Sequence, residues 1–199
     1  MNAASVTAVI LAGGRGTRMD GADKGLVPIH GRPLIEYILS SLRSQVGRIV
    51  INANRNAERY AGYGYQIVSD ASEDFLGPLA GIAAALGVCD SEWLLTVPCD
   101  SPLICPDLTE RLLHAALRED AEIAVASDGQ RLQPLFALIR SDQLLPLEDY
   151  LASGERKVER WYAERRMTRV DFSDRASCFL NLNSHQERAA YETATRGAT

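Results

Sequence analysis

Residues 6–25, VTAVILAGGRGTRMDGADKG, pass from six apolar or β-branched residues into a loop with five glycines, two arginines and a lysine. Val6–Leu11 lacks the polar alternation of a half-exposed strand, which predicts a strand buried on both faces. The loop behind it has few side chains and much positive charge. Gly13, Gly14 and Gly16 let backbone N–H groups approach a phosphate closely, while Arg15, Arg18 and Lys24 supply charge against Asp20 and Asp23. A tight turn with incidental surface cations accounts for one or two glycines, and poorly for this density. Two nucleotide fingerprints fail here. A Walker loop needs Ser or Thr after its lysine, but Gly25 follows Lys24. A dinucleotide G-x-G-x-x-G frame counted from Gly14 and Gly16 ends on Met19.

The pattern repeats outward from this stretch. Strands are predicted at Arg48–Ala53, Gln66–Ser69, Trp93–Val97, Glu122–Ala126 and Pro134–Ile139, with helices at Pro33–Arg43, Pro78–Val88 and Asp107–Arg118. Pro33 suits a first helical turn, and Asp107 is placed to cap or charge an N-terminus. Such alternation predicts an α/β fold, a Rossmann-like, mostly parallel sheet with helices on both faces, whose ligands sit beyond the carboxyl ends of the strands. The glycine loop falls there. Ser141–Gly154, with Pro146 and Gly154, reads as a broken helix or a loop with a short helix. Glu155–Arg169 carries six cations against three carboxylates, either as a solvated helix face or as a basic wall for an anionic substrate.

A chain of 199 residues, 46% hydrophobic, is long enough for one substantial core, and one domain spanning 1–199 is expected. A net charge of −5 argues against a broad nucleic-acid or membrane surface. Apolar runs fall short of the roughly 20 residues that cross a bilayer, and the start lacks a basic signal-peptide region, so a cytoplasmic protein is expected. Cys89, Cys99, Cys105 and Cys178 form no C-x-x-C pair, and read as free thiols.

Other candidates stand at predicted strand ends. In LLTVPCDSPLI (94–104), Asp100 follows an apolar strand and is flanked by Pro98 and Pro102. A carboxylate there suits Mg²⁺, commonly held by one or two carboxylates plus substrate phosphates. The competing reading is a turn or cap aspartate. Asn52 in NANR (52–55) has an amide that both donates and accepts, which suits a base or ribose. Asp70 closes QIVSD, and GPLAG (77–81) opens a helix with Gly77. In FLNLNS (179–184), Asn181 and Asn183 share a face at period two, suiting a ligand with mixed donors and acceptors or a phosphate. Alternatively, they only cap a last helix starting near Ser184.

The ordered set L-A-G-G-x-x-x-R-M, D-K-G, G-R-P-L, N-A-N-R, G-P-L-A-G, P-C-D-S-P and F-x-N-x-N resembles the molybdenum cofactor guanylyltransferases, from about Val6 to about Asn183. The resemblance implies a nucleotide-diphospho-sugar transferase-like architecture and transfer of GMP from GTP to molybdopterin, releasing pyrophosphate. It implies that Leu11, Ala12 and Gly13 line the GTP site, that Lys24 meets phosphate, and that Asn52 and Asp70 serve the nucleoside end. Asp100 would bind Mg²⁺, while Arg18, Gly14, Gly21 and Gly77 shape the same pocket. The nucleotide side would extend to about residue 105 and the acceptor side would follow, with Asn181 and Asn183 meeting the pterin, in a monomer that would hand its product to other proteins of the pathway. Asp20, where the family often has glycine, and Ser-His-Gln after Asn183 depart from the pattern. Rival readings are the cytidylyltransferase of the same pathway, a sugar-phosphate nucleotidyltransferase, and a GTP-binding adaptor without turnover.

Overall fold

The computed structural model describes residues 5–14, 23–71 and 77–196. Seven strands form one sheet. β1 (Val6–Leu11), β4 (Arg48–Asn52), β5 (Gln66–Val68), β6 (Trp93–Pro98), β7 (Ile123–Ser127), β8 (Leu132–Arg140) and β9 (Met167–Asp171) lie in the order β5-β4-β1-β6-β8-β7-β9. Only β8 runs against its neighbours. β2 (Pro28–Ile29) and β3 (Arg32–Pro33) form a separate small hairpin, turning through His30 and Gly31 at positive φ.

The helices cover both faces. α1 (Leu34–Leu42), α2 (Ala57–Ala61) and α4 (Leu108–Arg118) pack on the face carrying Val6, Ala8 and Ile10 of β1. α3 (Pro78–Leu86), α5 (Leu144–Ala152) and α6 (Val158–Ala163) pack on the face carrying Val9. Successive β1 side chains thus enter different cores, which explains the unbroken apolar run. α7 (His185–Ala194) is held by a third, smaller core in which Tyr191 packs against Ile29, Leu34 and Leu182. Among the described residues no helix is long and apolar enough to cross a membrane.

Several expectations need correction. Glu155–Arg169 is not one charged helix face: α6 buries Trp161 and Tyr162, and the segment then enters β9. Of the two readings of Ser141–Gly154, the short helix is the one that forms: a 3₁₀ turn, Ser141–Gln143, leads into α5, which Pro146 does not break because it lies in the first turn, where an intrahelical N–H bond is not required. Asp107 occupies the N-cap of α4 without a side-chain capping bond. Its carboxylate instead faces Arg175 at 3.4 Å and Arg111 at 3.7 Å. FLNLNS forms no strand: Phe179 ends a 3₁₀ turn and the next residues run irregularly to α7.

Strand order places the site. From β1 the chain steps outward through β4 to β5, then returns to lay β6 along the other side of β1. The carboxyl ends of β1 and β6 therefore flank the reversal point, where open α/β sheets bind ligands.

Candidate functional site

Leu11 ends β1 between two neighbours: Cys99 N donates to Leu11 O at 3.2 Å, and Ala12 N donates to Asn52 O at 2.8 Å. Gly13 follows. A Cβ there would lie 2.8 Å from both Asn52 Oδ1 and Asn54 Nδ2, so the approach of two amides requires glycine. Gly14 is exposed, and its carbonyl accepts from Arg55 Nη2 at 3.1 Å. On the other side of Asn52 stands Gly81 of α3, where a Cβ would fall 2.7 Å from Asn52 Cγ. Gly77 opens α3 at φ +82°, a left-handed conformation that favours glycine, with Pro78 as the first helical residue.

The buried Asn52 amide donates to Asp70 Oδ1 at 2.9 Å. Asn54 Nδ2 donates to Asp70 Oδ2 at 2.7 Å, while Asp70 N returns a bond to Asn54 Oδ1 at 2.9 Å. Two amides thus orient one carboxylate, which keeps acceptor capacity for further donors. Asn54 is a residue that sequence reasoning passed over, although its period-two spacing from Asn52 in NANR was visible.

Beyond β6, Asp100 is buried, with Oδ2 2.8 Å from Lys24 Nζ. The same ammonium donates to Asn183 Oδ1 at 2.5 Å. Leu182 N donates to Asp100 O at 2.9 Å, and Ser101 Oγ to Asn181 Oδ1 at 2.5 Å. Both asparagine side chains therefore meet the glycine-loop and β6 segments. The cap of α7 is Ser184, whose Oγ accepts from Glu187 N at 3.1 Å while Glu187 Oε2 accepts from Asn183 N at 2.8 Å. Hydrogen bonding to the Glu187 carboxyl, first from the Ser184 side chain and then from the Asn183 backbone, holds it below its ordinary range.

Lys24 opens a 3₁₀ turn, Lys24–Leu26, preceded by Asp23. The Asp23 carboxylate accepts from Asn56 Nδ2 at 3.0 Å and from the Tyr60 hydroxyl. Burial, reinforced by Cys99 and Asp23, pushes the Tyr60 phenol far up, so it remains a protonated donor. Burial likewise pushes the Cys99 thiol up, in keeping with a packing role. Arg18 and Gly21, with Arg15, Gly16 and Asp20, lie outside the described residues.

The basic-wall reading fails for part of the segment. Arg165 and Arg166 precede β9, whose carboxyl end lies at the crevice edge, so they sit at the opposite edge. Arg166 approaches Glu122, and Arg160 pairs with Glu155. Arg156 donates to the Leu151 and Glu155 carbonyls.

Chemically, the edge offers an amide-held carboxylate on one side, and an ammonium between two oxygen acceptors on the other. No group of three or more His, Cys, Asp or Glu suited to a metal occurs among the described residues. Asp100 Oδ2 and Asn183 Oδ1 do converge on one cationic atom, an arrangement able to share a hard cation with phosphate oxygens.

Residues 8–170 match the family model described as the MobA-like NTP transferase domain. A "Molybdenum cofactor guanylyltransferase" of Shewanella sediminis is 45% identical over 183 residues, covering 92% of this chain and 93% of that protein. One of the same description from Shewanella pealeana is 46% identical over 186 residues, covering 94% and 93%. In fold, the chain is similar to molybdopterin-guanine dinucleotide biosynthesis protein A from Archaeoglobus fulgidus, with TM-score 0.80, 22% identity and coverage of 96% and 98%. It is also similar to 4-diphosphocytidyl-2C-methyl-D-erythritolsynthase from Anaerococcus prevotii, with TM-score 0.71, 14% identity and coverage of 98% and 100%.

Proposed function

Since the chain belongs to the MobA-like NTP transferase family, and within it to the molybdenum cofactor guanylyltransferases, we propose how its crevice carries out guanylyl transfer from GTP. The observation that carries the reading is the meeting of Lys24, Asp100 and Asn183 at the reversal point of the sheet. We read the chain as a single domain acting as a cytoplasmic monomer, with its nucleotide side extending to about residue 105 and the acceptor side beyond.

GTP lies with its base toward β4 and β5, and its phosphates toward β1 and β6. The Asp70 carboxylate, oriented by Asn52 and Asn54, accepts from the N–H groups that guanine presents and cytosine arranges differently. Leu11, Ala12, Gly13 and Gly14 admit the nucleotide close to the backbone, and Gly77 opens the adjoining helix. Lys24 moves its ammonium from Asp100 onto the phosphate chain, as a mobile point charge can. Arg18, from the same loop, offsets charge on the leaving pyrophosphate.

Asp100 and Asn183 would hold Mg²⁺, whose convergent oxygen donors fit that ion when substrate phosphates complete the shell. When bound, the ion neutralises charge on the phosphate oxygens. The chain contributes alignment and electrostatics: the acceptor phosphate of molybdopterin attacks the α-phosphorus of GTP, and pyrophosphate leaves. Asn181, 2.5 Å from Ser101 Oγ, lies beside the path of the acceptor.

Incubating the protein with molybdopterin, Mg²⁺ and each of GTP, CTP, ATP and UTP, and weighing the product, tests the reading. The expected product is the guanine dinucleotide with pyrophosphate. Equal rates with CTP would overturn the base assignment to Asp70, and GTP binding without pyrophosphate release would leave only an adaptor.

A further inference from the structure

We propose that Tyr60 and Asn56 are positioning residues that, through Asp23, keep the Lys24 ammonium turned toward Asp100 in the crevice. This rests on the phosphate role given to Lys24 above. It adds to that role a support on α2, a five-residue helix that supplies none of the residues so far assigned to the nucleotide.

The observations begin with the D-K-G turn. Leu26 N donates to Asp23 O at 3.0 Å, and Val27 N to Lys24 O at 3.2 Å, so Asp23 and Lys24 are parts of one tight unit. Behind it lies Tyr60, fully buried in the core beneath α1. A Cβ on Gly25 would come within 2.6 Å of the Tyr60 hydroxyl oxygen and 3.3 Å of Cys99 Cβ. The third residue of the motif is therefore glycine because the turn is pressed between the phenol and the end of β6.

The first residue has a matching reason. Asp23 is chemically the nearest rival to Asp100 for Lys24, being its neighbour in the chain. Both Asp23 carboxylate oxygens are engaged on the α2 side, Oδ1 by the Tyr60 hydroxyl and Oδ2 by Asn56 Nδ2. Asn56 itself takes a left-handed conformation, φ 52°, immediately before α2. With the Asp23 charge tethered there, Lys24 pairs with Asp100 and Asn183, where a phosphate can receive it.

Tyr60→Phe keeps the ring and removes the hydroxyl. It should retain the wild-type melting profile and the affinity for guanosine, while losing about 10- to 100-fold in GTP affinity and kcat/KM, the scale of a misplaced catalytic group. Asn56→Gly, which accepts the left-handed backbone, should lose in the same direction, and it carries the test if Tyr60→Phe fails to fold. The deciding arm is the double variant: on a Lys24→Ala background, Tyr60→Phe should cost GTP nothing further, because both changes act through one ammonium. Additive losses, equal losses for guanosine, or wild-type kinetics in Tyr60→Phe and Asn56→Gly would each overturn the inference. Undiminished GTP affinity in Lys24→Ala alone overturns the phosphate role itself, a failure read without any Tyr60 variant.

Discussion

Replacing Gly81 by Ala tests whether Asn52 is clamped between two glycines. At an ordinary helical site the change should stabilise, because alanine is favoured over glycine by roughly 1 kcal/mol. Here the new methyl would sit 2.7 Å from Asn52 Cγ, and the amide cannot retreat toward Gly13 without crowding that loop. Overpacking of this kind costs about 1–3 kcal/mol, leaving a net loss of up to about 2 kcal/mol after the helix gain of roughly 1 kcal/mol. If Asn52 is driven from Asp70, the loss of a hydrogen bond to a charged group adds about 1.5–3 kcal/mol. For a chain of this size, the smaller figure lowers the melting temperature by up to roughly 8 °C. Urea unfolding of four proteins is the assay: wild type, Gly81→Ala, Asn52→Ala and the double variant. With Asn52 trimmed, the obstacle is gone, and Gly81→Ala should now stabilise by about 0.5–1 kcal/mol. That reversal of sign is the signature. A Gly81→Ala protein more stable than wild type would refute the clamp.

Asp100→Asn should leave the fold intact and lower turnover by about 10²-fold or more, as expected on removing a key electrostatic group; near-normal pyrophosphate release would move the metal role elsewhere. Lys24→Ala should weaken GTP far more than guanosine by calorimetry, and equal losses would take Lys24 away from the phosphates. The Glu187 carboxyl is held below its ordinary value of 4.5, so its stabilising contribution is present above that pH and is lost as pH falls through the depressed value. Unfolding midpoints of wild type and Glu187→Gln should therefore differ near neutrality and converge in acid; a constant gap would show that the α7 cap does not titrate.

The central strands were legible because β1, β4 and β6 are buried on both faces and carry nearly continuous apolar runs. β9 was hidden by its edge position. Thr168 and Val170 are buried while Arg169 and Asp171 are exposed, so its alternation dissolves into the surrounding charge. The β2–β3 hairpin was hidden by Pro28 and Pro33, residues that argue against a strand except at edges. At the site, strand ends announced Asn52, Asp70 and Asp100, since Asn and Asp after an apolar run stand out. Tyr60 and Asp23 did not, because a contact across 37 residues leaves no periodic trace. The asparagines of FLNLN were noticed for a spacing they do not use, as no strand forms there.

The bond between Lys24 and Asn183 joins groups 159 positions apart in the chain. During synthesis on the ribosome, β1, β4, β5 and β6 can assemble long before residue 183 has been added. A nascent chain at that stage already has the amides around Asp70, yet its lysine has only half of its oxygen cradle. Contacts of such separation also form late in refolding, after the closure entropy of the intervening chain has been overcome. Recovery of turnover should therefore lag behind recovery of the sheet, and the delay between the two signals times the arrival of the last segment.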